Sequence, residues 1–310
     1  MDAKKMKVYK FGGTSVGTAK RMAEVARIIG SDPAPKIVVL SAMAGTTNTL
    51  VEMCDLCYAE KAPKAREIAA GLRRKYLEVI EELYRKGDTK QQARDFVQGK
   101  FDALEGYLTD YFVIQDEKSV LSFGELLSTE LFHMYLRENG VGSVLIPALS
   151  FMRTDRLGEP DMYYIAQNLQ AKLEANPDTE LFITQGYICL NAWGEVDNLR
   201  RGGSDYTATI IGAAIKASEV QIWTDIDGLH DNDPRVVENT APVEMLSYTE
   251  AEELAYFGAK ILHPLCVIPA HNAGVPVWLK NTLDPKAHGT LICSDYGKGG
   301  VKAIAAKDGI

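Results

Sequence analysis

The chain alternates short runs of branched and aromatic residues with longer stretches in which apolar positions recur every three or four residues. "KVYKFGG" reads as a buried strand ending in a glycine turn, and "TAKRMAEVARIIG" as an amphipathic helix closed by Gly30. "KIVVLSA" is a second buried strand, followed by a turn and a helix from about Thr47. From Lys64 to Ile114 the alternation stops. Ile68, Leu72, Tyr76, Val79, Ile80 and Leu83 share one helical face, "RKGDT" breaks it, and Phe101, Leu104, Leu108 and Phe112 line a second helix. Residues 60–115 therefore predict a helical hairpin inserted into the alternating pattern.

The alternation then resumes. "SFGELLSTELFHMYLRENG" predicts a helix, "GSVLIPA" a strand, "MYYIAQNLQAKLEA" a helix, and "ELFITQGYICL" a strand pair or a bent strand. "SDYTATIIGAAIKA" is helical, and "EVQIWTDIDG" is a strand running into an acidic loop. "SYTEAEELAYFG" is helical, and a short helix near Val267 precedes the strands "VPVWLKN" and "VKAIAAK". This order predicts an α/β fold with a mostly parallel open sheet, divided into two lobes near residue 200. Ligands of such sheets gather beyond the C-terminal ends of the strands, so chemistry is expected just after "KVYKF", "KIVVLS", "ELFITQ" and "EVQIW".

At 310 residues the chain can bury a large core. Its formal net charge of −8 argues against nucleic-acid binding, and means that a phosphate site must gather positive charge locally. No apolar run approaches the roughly 20 residues that span a bilayer, and "MDAKKMKVYK" lacks the apolar core of a signal peptide. A cytoplasmic protein that binds no membrane is expected. Cys54 and Cys57 form C-x-x-C inside a helical pattern with no second Cys or His pair nearby, so the five cysteines read as reduced thiols.

Gly12, Gly13, Thr14 and Ser15 follow the first strand, with Lys10 inside it. Glycines there let backbone amides approach an anion, though a lone Gly-Gly is usually no more than a turn. The spacing matches neither G-x-x-x-x-G-K nor G-x-G-x-x-G. "LRRGGSDYTA" repeats the design, with Arg201 before Gly202, Gly203, Ser204 and Asp205 at the start of a helix. Ser204 or Asp205 reads equally as an N-cap. Two glycine pairs, each behind a cation, suit phosphates held from two sides, and Asp205 suits a lysine or a hydrated Mg2+. "WTDIDGLHDNDPR" carries Asp225, Asp227, Asp231 and Asp233, but its glycine comes too early for a calcium loop, and Pro234 stands where the closing Glu is needed.

"KFGGTSVG", "LSAMAGTTN", "SFGELLS", "RGGSDYTA", "TDIDG…NDPR" and "FGAKILHP", in that order between residues 9 and 264, together resemble the aspartate kinases of the amino-acid kinase superfamily. The resemblance implies a three-layer α/β/α sandwich and treats residues 1–310 as one catalytic domain. Residues 1 to about 200 would form an acceptor-binding lobe, and about 201–305 an ATP-binding lobe. It implies transfer from MgATP to L-aspartate, giving 4-phospho-L-aspartate.

By the same resemblance Lys10, Asp205 and Lys260 are catalytic, and Gly12, Gly13, Ser15, Gly202, Gly203 and Ser204 hold phosphate. Ser41, Thr47, Glu125 and Arg201 take aspartate. Thr224, Asp225, His230, Asp233 and Arg235 join Lys10 and Lys260 on ATP. Mg2+ would arrive with the nucleotide, touched by Asp205 through water rather than by a protein cage. Taken without the resemblance, Lys260 reads as a snorkelling lysine and Ser122-Phe-Gly-Glu125 as a capping box.

Two positions depart from the family pattern: His230, where many members have Tyr, and Cys189, where Gly is common. His133, His263, His271 and His288 read as structural. A homodimer is implied. "VKAIAAKDGI" falls about where aspartate kinases continue into ACT regulatory domains or a homoserine dehydrogenase. The chain is therefore expected to be an unregulated enzyme or a piece of a longer parent, and the apolar "VKAIA" hints at the latter. The alternatives are a kinase of another carboxylate and a silent subunit that binds aspartate or nucleotide.

Overall fold

β1 (Lys7–Phe11) lies in the middle of an eight-stranded sheet. Parallel neighbours flank it, β2 (Lys36–Leu40) on one side and β7 (Glu219–Thr224) on the other. The computed structural model describes residues 6–199, 202–232, 236–257, 262–294 and 301–304. The full strand order is β3-β4-β2-β1-β7-β9-β10-β8, with β3 at Val144–Leu145, β4 at Leu181–Gln185, β8 at Met245–Ser247, β9 at Val277–Asn281 and β10 at Thr290–Cys293. Within this sheet, among the described residues, only the β9–β10 pair is antiparallel. β5 (Ile188–Leu190) and β6 (Val196–Asn198) form a separate hairpin.

Helices cover both faces, which makes a three-layer α/β/α sandwich. Side chains alternate along each strand. Tyr9, Phe11, Val38, Leu40 and Ile183 therefore enter one core, while Val8, Ile37, Val39, Phe182, Val220 and Ile222 enter the other. The first core is closed by α1 (Ala19–Ser31), α2 (Thr46–Tyr58), α3 (Ala62–Leu83), α4 (Gly87–Tyr107) and α5 (Ile114–Glu138). The second is closed by α6 (Met162–Glu174), α7 (Gly203–Ile215), α8 (Tyr248–Tyr256) and α9 (Ile268–Ala273). Lys10 shares the face of Val8, so its side chain leaves the strand toward α7.

The predicted hairpin is present as α3 and α4, with the Tyr76 and Phe101 rings 6.1 Å apart between them. Several boundaries differ from the expectation. α5 begins at Ile114, where the Asp116 carboxylate accepts the Val113 N–H. Ser122 and Glu125 therefore lie inside a helix and not at its cap, because the apolar periodicity extends two turns further back than "SFGELLS". α1 runs through Gly30 to Ser31. α7 begins at Gly203, so neither Ser204 nor Asp205 caps it. Residues 301–304 of the expected last strand are in no strand; the closing antiparallel strand is β10, from a polar-flanked run with little periodicity. "ELFITQGYICL" is a strand pair, split at Tyr187 with φ +67°. Cys54, Cys57, Cys189 and Cys266 are buried free thiols, and burial pushes Cys54 and Cys189 up to about 12. No helix among the described residues is long and apolar enough to cross a membrane.

Candidate active site

The C-terminal ends of β1, β2, β7 and β9 meet at one edge, and Lys10 occupies the centre of it. Its Nζ lies 2.6 Å from Asp205 Oδ1 in the first turn of α7, with side-chain exposures of 11% and 16%. Asp205 Oδ1 makes no directed hydrogen bond among the described residues, so the contact is ionic. The positive end of the α7 dipole favours the carboxylate there.

The glycine turn after β1 is shaped by close approach. A Cβ on Gly13 would sit 2.7 Å from the Ala42 carbonyl, and one on Gly12 would sit 3.4 Å from Lys10 Nζ. The Gly12 N–H donates to Trp223 O at 3.3 Å, so this amide is engaged by the sheet and is not free to hold an anion. Ser15 is similarly occupied: its hydroxyl is buried against the Thr282 hydroxyl at 2.8 Å. The resemblance implied phosphate contacts for both residues; here the Gly12 amide and the Ser15 hydroxyl tie the turn to β7 and to Thr282.

The second glycine turn is built by the same means. Gly202 has φ +77°, and a Cβ on it would press on Cys266 Sγ and His263 Cβ at 2.8 Å. A Cβ on Gly203 would meet the Tyr187 ring at 2.4 Å, and one on Gly186 would meet Ser204 Oγ at 2.5 Å. The start of α7 is thus seated on the Gly186–Tyr187 bend, which also donates the Tyr187 N–H to Thr207 Oγ1.

The loop after β2 carries Ser41 and leads to Thr47, both half-buried. Glu125 reaches it from mid-α5: Oε1 accepts the Ala42 N–H at 3.1 Å, and Oε2 is buried with no partner among the described residues. Gly124 permits the approach, since a Cβ there would lie 2.7 Å from Ala42 Cβ. Burial pushes the Glu125 carboxyl up to about 8, against the opposing pull of the Ala42 amide and the Lys10 charge. The sequence did not single out Lys75 and Tyr76. Lys75 Nζ donates to Ala44 O at 2.8 Å, and Tyr76 OH bonds Thr46 Oγ1 at 3.1 Å, so α3 braces this loop. Their periodicity marked them only as parts of a helix.

Beyond β7, Thr224 Oγ1 donates to Asp225 Oδ1 at 3.2 Å and accepts the Ile226 N–H. His230 contacts Asp227 Oδ1 through Nε2 at 2.7 Å and Thr240 Oγ1 through Nδ1 at 2.8 Å. A carboxylate only accepts, so Nε2 carries a hydrogen and Nδ1 is left to the hydroxyl. This bond holds the Asp227 carboxyl below its ordinary range. His230 therefore clasps its own loop with both ring nitrogens. Arg201, Asp233, Arg235 and Lys260 lie outside the described residues. Among the described residues no group of three or more His, Cys, Asp or Glu could hold a metal ion.

Residues 5–281 match the model of the amino acid kinase family. The chain belongs to that family. Among amino acid kinase relatives, it is 38% identical to the lysine-sensitive aspartokinase 3 of Escherichia coli (strain K12), over 93% of this chain and 64% of that protein. It is 32% identical to the aspartokinase of Chlamydia muridarum (strain MoPn / Nigg), over 97% of this chain and 67% of that one. The crystal structure of E. coli aspartokinase III in complex with aspartate and ADP superposes with a TM-score of 0.84 at 35% identity, covering 94% of this chain and 65% of that chain. The present amino acid kinase chain thus spans just under two thirds of the first of these relatives.

Proposed function

We propose that this chain transfers the γ-phosphoryl group of ATP to the side-chain carboxylate of L-aspartate, giving ADP and 4-phospho-L-aspartate for lysine, threonine and methionine synthesis. The observation that carries this reading is the Lys10–Asp205 contact, which puts one oriented cation between two glycine turns at the open edge of the sheet. The aspartate and ADP bound by E. coli aspartokinase III support the choice of substrates.

The acceptor carboxylate is ionised near neutral pH, so the reaction needs no strong base. Its demand is for positive charge and fixed donors where charge spreads over the phosphoryl oxygens. Lys10 neutralises that charge, and Asp205 holds the ammonium in place. Gly13, Gly202, Gly203 and Ser204 shape the space for the phosphates. The buried Glu125 Oε2 has no partner among the described residues, and the ammonium of aspartate placed there would draw the carboxyl into its ionised, accepting form. Arg201, Ser41 and Thr47 take its carboxylates. Thr224, Asp225, Asp233, Arg235 and Lys260 take the nucleotide, with His230 holding their loop.

Magnesium arriving with ATP would supply charge neutralisation at the phosphates, with the Asp205 carboxylate, whose Oδ1 holds Lys10, reaching its shell through water. In this reading residues 1–200 form the acceptor lobe and 201–305 the nucleotide lobe, in a cytoplasmic homodimer.

The test is ADP release with MgATP and L-aspartate, trapping the acyl phosphate with hydroxylamine, beside L-glutamate and a no-acceptor control. Aspartate-dependent hydroxamate supports the reading. Release with another carboxylate makes the chain a different carboxylate kinase. Nucleotide binding without turnover makes it a silent subunit.

A further inference from the structure

Thr282 follows β9 directly and is buried. Its two polar groups face different loops. The backbone N–H donates to Thr224 O, the last residue of β7, at 2.7 Å. The hydroxyl bonds Ser15 Oγ in the glycine turn after β1 at 2.8 Å. β1, β7 and β9 are successive parallel strands, so their C-terminal ends lie side by side. Two strand spacings separate β1 from β9 by roughly 10 Å. Ser15 covers that span because it lies in the turn four residues beyond Phe11. Gly12, in the same turn, is tied to β7 independently through Trp223 O. One residue thus joins the turn beside Lys10 to the strand end that starts the aspartate-rich loop.

We propose that Thr282 is a positioning residue for phosphoryl transfer, its hydroxyl holding the Lys10 glycine turn in register with the nucleotide loop that begins at Thr224. The inference rests on the kinase reading above for its catalytic consequence, though not for the joint itself. It follows from burial. A hydroxyl pair hidden from water and bridging two loops has no solvent substitute if one member is lost. The glycine turn then loses its only side-chain hydrogen bond to β9 among the described residues. Displacements of about an ångström between reacting groups cost up to roughly a hundredfold in rate, even when the altered residue touches no substrate.

The experiment uses Thr282→Val, which keeps the branched shape and the amide to Thr224 but loses the hydroxyl, and Thr282→Ser, which restores the hydroxyl. T282V is expected to lose roughly tenfold or more in kcat with KM for ATP near wild type, and T282S to recover it. Ser15→Ala should reproduce the loss, and the S15A/T282V double variant should lose no more than either single one. Wild-type kcat in T282V, or fully additive losses, would overturn the inference. Hydrogen exchange reads the joint without turnover: the amides of residues 12–16 should exchange faster in T282V and normally in T282S. Unchanged exchange in T282V sinks the joint. A wild-type chain without aspartate-dependent turnover, combined with faster exchange in T282V, would fault the kinase reading and leave the joint standing.

Discussion

Glu125 Oε1 takes the amide of Ala42, 83 positions earlier in the sequence, at 3.1 Å, while Oε2 stays buried and unpartnered among the described residues. Burial pushes this carboxyl from 4.5 up to about 8. Below pH 4.5 it is protonated in folded and unfolded chains alike, and carries no penalty. Between about 4.5 and 8 the unfolded carboxyl ionises while the folded one keeps its proton, so stability falls as pH rises and levels off above about 8. The full effect is on the order of 5 kcal/mol. Glu125→Gln should flatten this profile, melting near wild type at pH 4.5 and above it at pH 8, and should raise the aspartate KM. Parallel melting curves across that range would remove Glu125 as the source.

Gly13→Ala is expected to be worse than Gly12→Ala for folding. The first places a methyl 2.7 Å from a backbone carbonyl, which can yield only if two loops separate; the second meets the end of a lysine side chain at 3.4 Å. Overpacking of the first kind destabilises by about 1–3 kcal/mol. Chemical denaturation of both variants decides it, and equal midpoints would show that the loops part freely.

Lys10→Met should reduce kcat by roughly 10²–10³-fold, the scale on which single charge-stabilising groups act in a transition state. Its far-ultraviolet circular dichroism should match wild type, because Met retains the apolar stem. Turnover close to normal would take Lys10 out of the mechanism.

His230→Phe keeps a ring but gives up both loop contacts, to Asp227 and to Thr240. Loss of about 1–2 kcal/mol of loop order should raise the ATP KM roughly tenfold and spare kcat. Titration with a non-hydrolysable ATP analogue gives the same comparison without catalysis. If the ring instead lay against the base, Phe would bind as well as His or better.

Much of this architecture was legible because its signals are local. The Val8/Lys10 and Tyr9/Phe11 alternation identifies the two faces of β1, and the helical spacing from Ile68 to Leu83 identifies α3. The Lys10–Asp205 contact was hinted at only by the recurrence of a glycine pair behind a cation, since a single Gly-Gly is usually just a turn. Glu125 was harder. Ser122-Phe-Gly-Glu125 satisfies the capping pattern by composition, and only the earlier start of α5 shows that the carboxylate is a buried mid-helix group. Ser15–Thr282 and Tyr76–Thr46 could not be read at all, since each joins hydroxyls brought together by sheet order or helix packing, with no spacing rule between them. β10 was missed for a related reason: what makes it a strand is the partner edge offered by β8 and β9, not its own periodicity.

The sheet order also bears on how the chain reaches this state. β2, β3 and β4 all lie on one side of β1 and precede residue 200, while the other edge of β1 is covered only by residues 219–224. On a ribosome the strand bearing Lys10 therefore emerges before the other strands of this sheet and is enclosed late, presenting an open row of backbone donors and acceptors until residues 219–224 are made. Such distant pairing slows folding. An N-terminal half released at residue 200 would keep that edge bare and tend to stick to its own kind, which makes the two halves partners in assembly rather than units that mature separately.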